Sequence, residues 1–520
     1  MSKQLISRQI QLSNEFKLAC IQRLSQKLTE LEFKKIRLLN GVYLQLHSYM
    51  LRVAIPNGEL SSKQLAALAL ISIKYDRGYF HMTTRQNVQF NWININNVAK
   101  ITRILCKLNL WTSYTAGNCI RQITCDPTHE ISLDEQDKDV TKLMNEIRYQ
   151  LGLNPSLSDL PRKVKICVRA NIKDNVISDF SDIGIRLSNN KAFIKVGGGL
   201  GRHPKLALKL IKISKNKVVC WLLEFLRIYK SLSKTQNTQS RTKFLISRFD
   251  KNTLIRLTKN FPDIKVAMPI ELIPTDHDKS IIYKKLMFIK WCNSKSFEDW
   301  YNTYTHANKQ VCLRHIEINC NSNSDLSPPG DISVKDAYEL STIIQKYSMD
   351  QVRLTLSHNL LLPYVNTMDI VDVYKLCSSF IVHNIVCCPG LDYCTLANTR
   401  SILLAQKIIL FNTLNGNCFS NLKIRISGCV NSCSQHHLFD IGIVGIFTDK
   451  SSEYYQVLVG GDAPTGKRCQ MLCKAIPVSK ITKTILWYNN TINLLKKDYS
   501  EKEHLCFSRN KINIPSDIIS

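Results

Sequence analysis

From Tyr43 to Ile55, in YLQLHSYMLRVAI, apolar and polar positions alternate. Successive side chains of an extended chain face opposite ways, so this pattern predicts a strand. Pro56-Asn57-Gly58 ends it. Ser61 then supplies a cap for a helix running to Ile73, with Leu65, Leu68, Leu70 and Ile71 as its apolar face. Tyr79 to Trp92 returns to strand-like composition. Upstream, Gln11 to Leu39 reads as helical or extended connecting structure rich in basic residues. Downstream, residues 126–308 mix strand and helix signals, the region past Ser379 carries clustered cysteines, and the tail beyond Lys480 is polar.

The same unit occurs twice. SPPGDISVKDAYELSTIIQKYSMDQVRLTLSHNLLLP repeats IPNGELSSKQLAALALISIKYDRGYFHMTTRQNVQF. Gly58 to Asn87 spans 29 positions, as does Gly330 to Asn359, and Ser61, Lys63, Tyr75 and Thr83 recur as Ser333, Lys335, Tyr347 and Thr355. Two copies of a turn–helix–strand unit imply related halves packed about a pseudo-twofold. Arg85-Gln86 of the first copy become Ser357-His358 in the second, so a single asymmetric pocket is expected.

At 520 residues and 44% hydrophobic, the chain can bury a large core across about three domains. No apolar run reaches the roughly 18 residues that span a bilayer; the longest candidate, Val218 to Tyr229, contains Glu224 and Arg227. The start, MSKQLISRQIQLSNEF, lacks an apolar stretch suited to secretion. The nineteen cysteines are scattered, which fits reduced thiols better than a disulfide framework. A cytoplasmic protein with no membrane association is the plain expectation. The formal charge of +29 admits nucleic acid, an acidic protein or an anionic substrate as partner. It is not blocked into a tail, no RNA-binding or zinc-finger signature accompanies it, and Asn, Ile and Lys are abundant throughout, as a coding bias would produce. Nucleic acid is the weakest of the three readings.

Four cysteines stand apart. Cys388-x5-Cys394 lies in VCCPGLDYCTLA and Cys429-x3-Cys433 in ISGCVNSCSQHH. The plain alternative is four core cysteines. The spacings do not match the commonest zinc patterns, whereas soft thiolates on two separate turns suit iron–sulfur chemistry. Pro389-Gly390, Gly428 and Asn431 adjoin these positions. Turns of that kind leave backbone N–H groups free to point at cluster sulfurs and raise the reduction potential.

The segments CCPGLDYCTLA, KIRISGCVNSCSQHHLFDIGIVG, HMTTRQNVQF, NCIRQITCDP and LPRKVKI resemble those of the sirohaem-dependent nitrite and sulfite reductases, nearest the assimilatory sulfite reductase haemoprotein and its ferredoxin-linked relatives, and they occur along the chain in that family's order. The resemblance covers nearly the whole chain. It implies an α+β, three-domain sirohaem and iron–sulfur reductase fold with a pseudo-twofold internal repeat. Residues 1–125 would be the first repeat half with anion and sirohaem contacts. Residues 126–308 would form a central α/β sirohaem and substrate domain, 309–379 the second repeat half packing with the first, and 380–520 the iron–sulfur and sirohaem-binding domain.

The resemblance also implies a [4Fe-4S] cluster on Cys388, Cys394, Cys429 and Cys433, with Cys433 bridging to the sirohaem iron. Cys387 is set aside because only Cys388 gives the five-residue spacing. The family's four substrate bases map onto Arg52, Arg121, Lys163 and Lys165. In a strand, positions 163 and 165 would place both ammoniums on one face. Arginine suits oriented contacts to an oxyanion and lysine a point charge or proton donor. Arg85, Gln86 and Gln89 are implied to hold sirohaem, whose carboxylates need cationic and amide partners. His81 departs from the arginine that some relatives carry there, which weakens that one contact. The run Val196-Gly-Gly-Gly-Leu-Gly-Arg202 lacks the remainder of a phosphate-loop or dinucleotide motif, and close approach of backbone to sirohaem is the better reading.

The resemblance therefore implies a six-electron reduction of sulfite to sulfide, with reduction of nitrite to ammonia as the alternative on the same scaffold. No flavin or nicotinamide site is visible, so electrons would come from ferredoxin, flavodoxin or a separate flavoprotein reductase subunit. A basic nucleic-acid-binding protein with a structural cluster and a decayed relative are the remaining readings. The survival of all four ligands and all four bases speaks against decay.

Overall fold

The alternating stretch after Gly41 folds back on itself. Strands β1 (Val42–Leu44) and β2 (Tyr49–Ala54) pair antiparallel, Tyr43 opposite Met50, and Gln45 N–H donates to Ser48 O to close the turn. The expected single strand is thus a hairpin. After β3 (Glu59–Leu60), Ser61 Oγ accepts from Gln64 N–H while Gln64 Oε1 accepts from Ser61 N–H, a reciprocal cap that starts the helix Ser62–Tyr75. Leu65, Leu68 and Ile71 are buried; Leu70 is 56% exposed, so it does not belong to the apolar face expected for it. Two residues from Leu68 is about 200° around a helix, which points Leu70 outward. β4 (Tyr79–Met82) and β5 (Asn87–Ile93) then form a hairpin.

The structure, a computed structural model, describes residues 3–171, 178–235, 240–259, 261, 294–320, 327–380, 382, 384–419, 421–449 and 452–498. Among them, no helix is long and apolar enough to cross a membrane. The chain divides into two units, one of residues 1–199, 205–322 and 331–381, the other of 200–204, 323–330 and 382–520.

In the first unit, β6 (Thr124–Cys125), β7 (Ile166–Arg169), β8 (Ile183–Ser188), β9 (Lys191–Val196) and β10 (Leu208–Ser214) form a sheet of order β10-β9-β8-β7-β6, parallel from β6 to β8. The helix Val218–Thr235 contributes Trp221, Phe225, Leu226 and Tyr229 to that sheet's core. The second copy supplies β11 (Thr305–Ala307), β12 (Leu313–Asn319), β13 (Asp331–Ser333), β14 (Val352–Leu354) and β15 (Asn359–Asn366). Two sheets result, β1-β2-β5-β4-β13 and β11-β12-β15-β14-β3. Each is completed by the short strand of the other copy, and the two copies share one hydrophobic core.

The repeat extends to backbone detail. Thr83 Oγ1 accepts from Arg85 and Asn87 N–H, and Thr355 Oγ1 accepts from Ser357 and Asn359 N–H. Gln86 and His358, at matching places, both adopt left-handed backbone, φ 53° and 61°.

The second unit holds β16 (Ile385–Cys387), β17 (Ile424–Ser427), β18 (Ile441–Thr448), β19 (Glu453–Val459) and β20 (Gln470–Pro477), in that spatial order. β16, β17 and β18 run parallel; the remaining neighbours are antiparallel.

Candidate active site

Four polar residues form a row across the first sheet. Arg52 of β2 lies opposite Gln89 of β5, Gln89 opposite His81 of β4, and His81 opposite Asp331 of β13. Directly paired residues share a face. Arg52 Nη2 donates to Gln89 Oε1 at 3.0 Å, and His81 Nδ1 lies 2.7 Å from Asp331 Oδ1. His81 is thus engaged by the second copy, and the His358 ring meets it edge-on at 5.1 Å.

Arg121 reaches Arg52 through a shared acceptor. Its guanidinium donates to Thr115 O (2.8 Å), Gly117 O (2.9 Å) and Tyr43 Oη (2.7 Å), and Arg52 Nη1 donates to the same Thr115 O at 3.4 Å. A parallel bridge pairs Ile120 with Val164, which puts Arg121 on the face shared by Lys163 and Lys165. The strand expected for those lysines begins only at Ile166, but the alternation already holds: Val164 is buried between them. Arg85 donates to Gln122 O at 2.7 Å.

These cations depress one another. Lys165 sits well below lysine's ordinary pKa, through burial first and then the charges of Arg85, Lys163 and Arg241, with Asp182 opposing them. Burial, with Arg121 and Arg52 adding to it, takes Arg85 down to about 10 despite Cys167 and Asp182. Asp182 is completely buried and already engaged: Arg241 Nη2 donates to it at 2.9 Å, Thr242 Oγ1 donates to Oδ1, and Lys165 N–H donates to Oδ2 at 3.0 Å. Arg85 Nε and Arg121 Nε are buried without an acceptor among the described residues. Arg52, Arg85, Arg121 and Lys165 are half-buried and Lys163 is exposed; so many half-buried cations with so little acid are costly unless an anion completes the cluster. The donor set therefore fits an oxyanion and the carboxylates of a tetrapyrrole.

Gln86 is placed otherwise. Its Nε2 donates to Cys125 O (3.2 Å) and Leu354 O (3.0 Å), its Oε1 accepts from Cys125 N–H, and the residue has no exposed surface. Its amide ties the first copy to the second. The glycine run has a packing reason of its own. A Cβ on Gly198 would lie 2.5 Å from Ser181 O.

In the second unit, adjacent parallel strands deliver the cysteines. Cys388 follows β16 and Cys429 follows β17, so both turns leave the same end of the sheet. Gly428 N–H donates to Cys388 Sγ at 3.1 Å, the kind of sulfur-directed amide that the turn formers imply. A Cβ on Gly428 would lie 2.8 Å from Thr399 O, so glycine is required where the turns meet. Cys388 is pushed up to about 12, by burial first and then by the neighbouring Cys433; Cys429 is raised by burial, with Cys433 and Cys394 adding to it. Four thiols thus share one locality, and as thiolates they call for metal. No three His, Cys, Asp or Glu side chains among the described residues close on a single ion, whereas thiols around a larger polynuclear group stand further apart. Cys387 is directed into the core of this sheet, and Cys433 is exposed.

The family model described as the nitrite and sulphite reductase 4Fe-4S domain matches residues 116–261 and 382–504, more than half of the chain. The chain belongs to the nitrite and sulfite reductase family. The family's ferredoxin-like half domain also matches, over residues 44–108. As a member of the family the chain is an oxidoreductase whose cofactors are sirohaem and a [4Fe-4S] cluster. A protein of Mycobacterium tuberculosis named sulfite reductase [ferredoxin] is 25% identical over 460 residues, 82% of this chain and 76% of that protein. The assimilatory ferredoxin-dependent nitrite reductase of Haloferax mediterranei is 22% identical, covering 79% and 74%. The solved structure of Mycobacterium tuberculosis NirA protein superposes with a TM-score of 0.72 at 20% identity, over 88% of this chain and 86% of that one, and so shares the fold.

Sequence reasoning overlooked Tyr43, Thr115, Asp182 and Asp331. The signal available for Asp331 was the repeat itself, since it falls opposite His81 once the copies are interleaved. Tyr43 and Thr115 meet the cations only through the fold.

Proposed function

We propose that this chain reduces sulfite to sulfide by six electrons, with Arg52, Arg121, Lys163 and Lys165 holding the anion. Arg85 and Gln89 would face sirohaem carboxylates, with Gln86 supporting them from behind. Cys388, Cys394, Cys429 and Cys433 would carry the cluster, Cys433 also meeting the sirohaem iron. The observation that carries the reading is the cation cluster around Thr115 O and Lys165, beside which the buried Asp182 is already bonded to Arg241, Thr242 and the Lys165 N–H.

When bound, the sirohaem and cluster supply the electrons. The chain's own residues bind, orient and protonate. Arg121 is fixed by three acceptors and Arg52 by at least two, so both guanidiniums are held in set orientations, as oriented contacts to an anion require. Lys165, held below its ordinary pKa, takes up a proton more readily once an anion arrives beside it and can return it to an oxygen.

Relatives named for nitrite favour a second reading, reduction of nitrite to ammonia. Turnover of both anions under one reductant separates them: faster sulfite turnover supports the first reading, exclusive nitrite turnover the second. The relatives' names favour ferredoxin as donor, with flavodoxin or a flavoprotein subunit as other carriers to compare. The cytoplasm is the proposed location.

A further inference from the structure

We propose that Tyr43 is a proton donor to the bound anion, its phenol held in place by Arg121. This rests on the reading of the cation cluster as the anion pocket. Tyr43 lies in β1, on the strand beside Arg52, and the Arg52 guanidinium sits 5.0 Å from the centre of its ring. Arg121 Nη1 donates to Tyr43 Oη at 2.7 Å. The phenol oxygen therefore acts as acceptor toward Arg121, and its own proton is committed to no acceptor among the described residues. A hydroxyl fixed by one bond, with its proton directed elsewhere, is arranged to donate.

The charged groups facing it are Arg52 from β2, Arg121 from the loop after Gly117, and Lys163. Burial alone would raise the phenol, but Arg121 and then Arg52, with Lys163 adding, outweigh it and bring it down to about 8. A phenol so lowered gives up its proton near neutral pH, and the tyrosinate left behind is stabilised by the same three cations. In the step, the Tyr43 O–H bond breaks and its proton passes to an oxygen of the anion. That oxygen leaves as water when its bond to sulfur or nitrogen breaks, with a second proton from solvent by way of Lys163 or Lys165. The two electrons for each oxygen are those the reductase receives from its carrier protein. The tyrosinate recovers a proton from solvent.

Tyr43→Phe keeps the ring beneath Arg52 and removes only the hydroxyl. With holoenzyme, we expect kcat to fall by about 10²-fold, in the range general acids contribute, while the Kd for sulfite, read from the cofactor's absorption, stays within about threefold. The wild-type rate should decline as pH rises through the phenol's ionisation, and the variant should lack that decline. A normal kcat that keeps the alkaline decline, alongside a slowed Lys163→Ala, overturns the role of Tyr43 and leaves the pocket standing. Normal kinetics and normal sulfite binding in both variants overturn the pocket and this role with it. Should the variant fail to fold, the wild-type holoenzyme gives the answer. Its tyrosinate absorbance should titrate with a midpoint that moves up when sulfite saturates the enzyme, and a midpoint unmoved by sulfite overturns the proposal.

Discussion

His81 Nδ1 lies 2.7 Å from Asp331 Oδ1, and this pair has a counterpart elsewhere in the same unit. Arg353 stands in the second copy where His81 stands in the first, and Glu59 stands where Asp331 does. Arg353 Nε lies 3.2 Å from Glu59 Oε1. Each pair joins a hairpin strand of one copy to the short strand completing it from the other, Asp331 opposite His81 and Glu59 opposite Arg353. The pseudo-twofold is therefore fastened twice, once by a permanent cation and once by a histidine.

The two acids should behave oppositely. Burial raises Glu59, but Arg353 and a bond from His129 outweigh it, leaving it below the usual carboxylate range. Burial raises Asp331 beyond what His81 recovers. Glu59 therefore contributes stability present above its unfolded pKa and lost as pH falls through its folded value. Asp331 contributes in the reverse sense: its share is present below its unfolded pKa and lost as pH rises through its folded value. Glu59→Gln should cost about 3–5 kcal/mol at neutral pH, as breaking a buried pair does, and Asp331→Asn much less. Urea unfolding of both variants across pH checks this, and equal losses at neutral pH would contradict it.

Cys433→Ser should disturb both chromophores, because its thiolate is proposed to touch both. Cys387→Ala, one residue from a proposed ligand but directed into the core, should keep full cluster occupancy and lose only stability. Acid-labile sulfide and visible absorption of the two purified variants distinguish the cases. Normal spectra in Cys433→Ser would remove the bridge.

Lys163→Ala should retain both cofactors and slow reduction of the anion; unchanged kinetics with both anions would remove Lys163 from the pocket. Lys165 makes a thermodynamic prediction. Its pKa is held down in the free protein by burial and by neighbouring cations. An arriving anion offsets those charges and raises it, so binding takes up protons and affinity weakens as pH rises. Calorimetry in buffers of different ionisation enthalpy should show proton uptake in the wild type and less of it in Lys165→Met.

Much of this was legible in the sequence because it is local. A capping serine, a hairpin turn and a 29-residue spacing leave marks within a short window, and the two copies match down to the turn at Thr83 and Thr355. The cysteine pairs were legible because each pair lies on one turn. What escaped depends on crossing strands. Leu70 sits in an apolar run yet points outward, since burial is set by angle around the helix and not by composition. Gln86 sits beside Arg85 yet is consumed by backbone 39 and 268 positions away. Tyr43 meets Arg121 across 78 positions, which no spacing rule reports.

The most direct test is an absorption spectrum of the purified, fully reconstituted protein together with iron and acid-labile sulfide analysis. An isobacteriochlorin spectrum, with about four iron atoms beyond the one in the macrocycle, is the expected result. A folded protein that accepts the cluster but never takes up the tetrapyrrole would contradict the account.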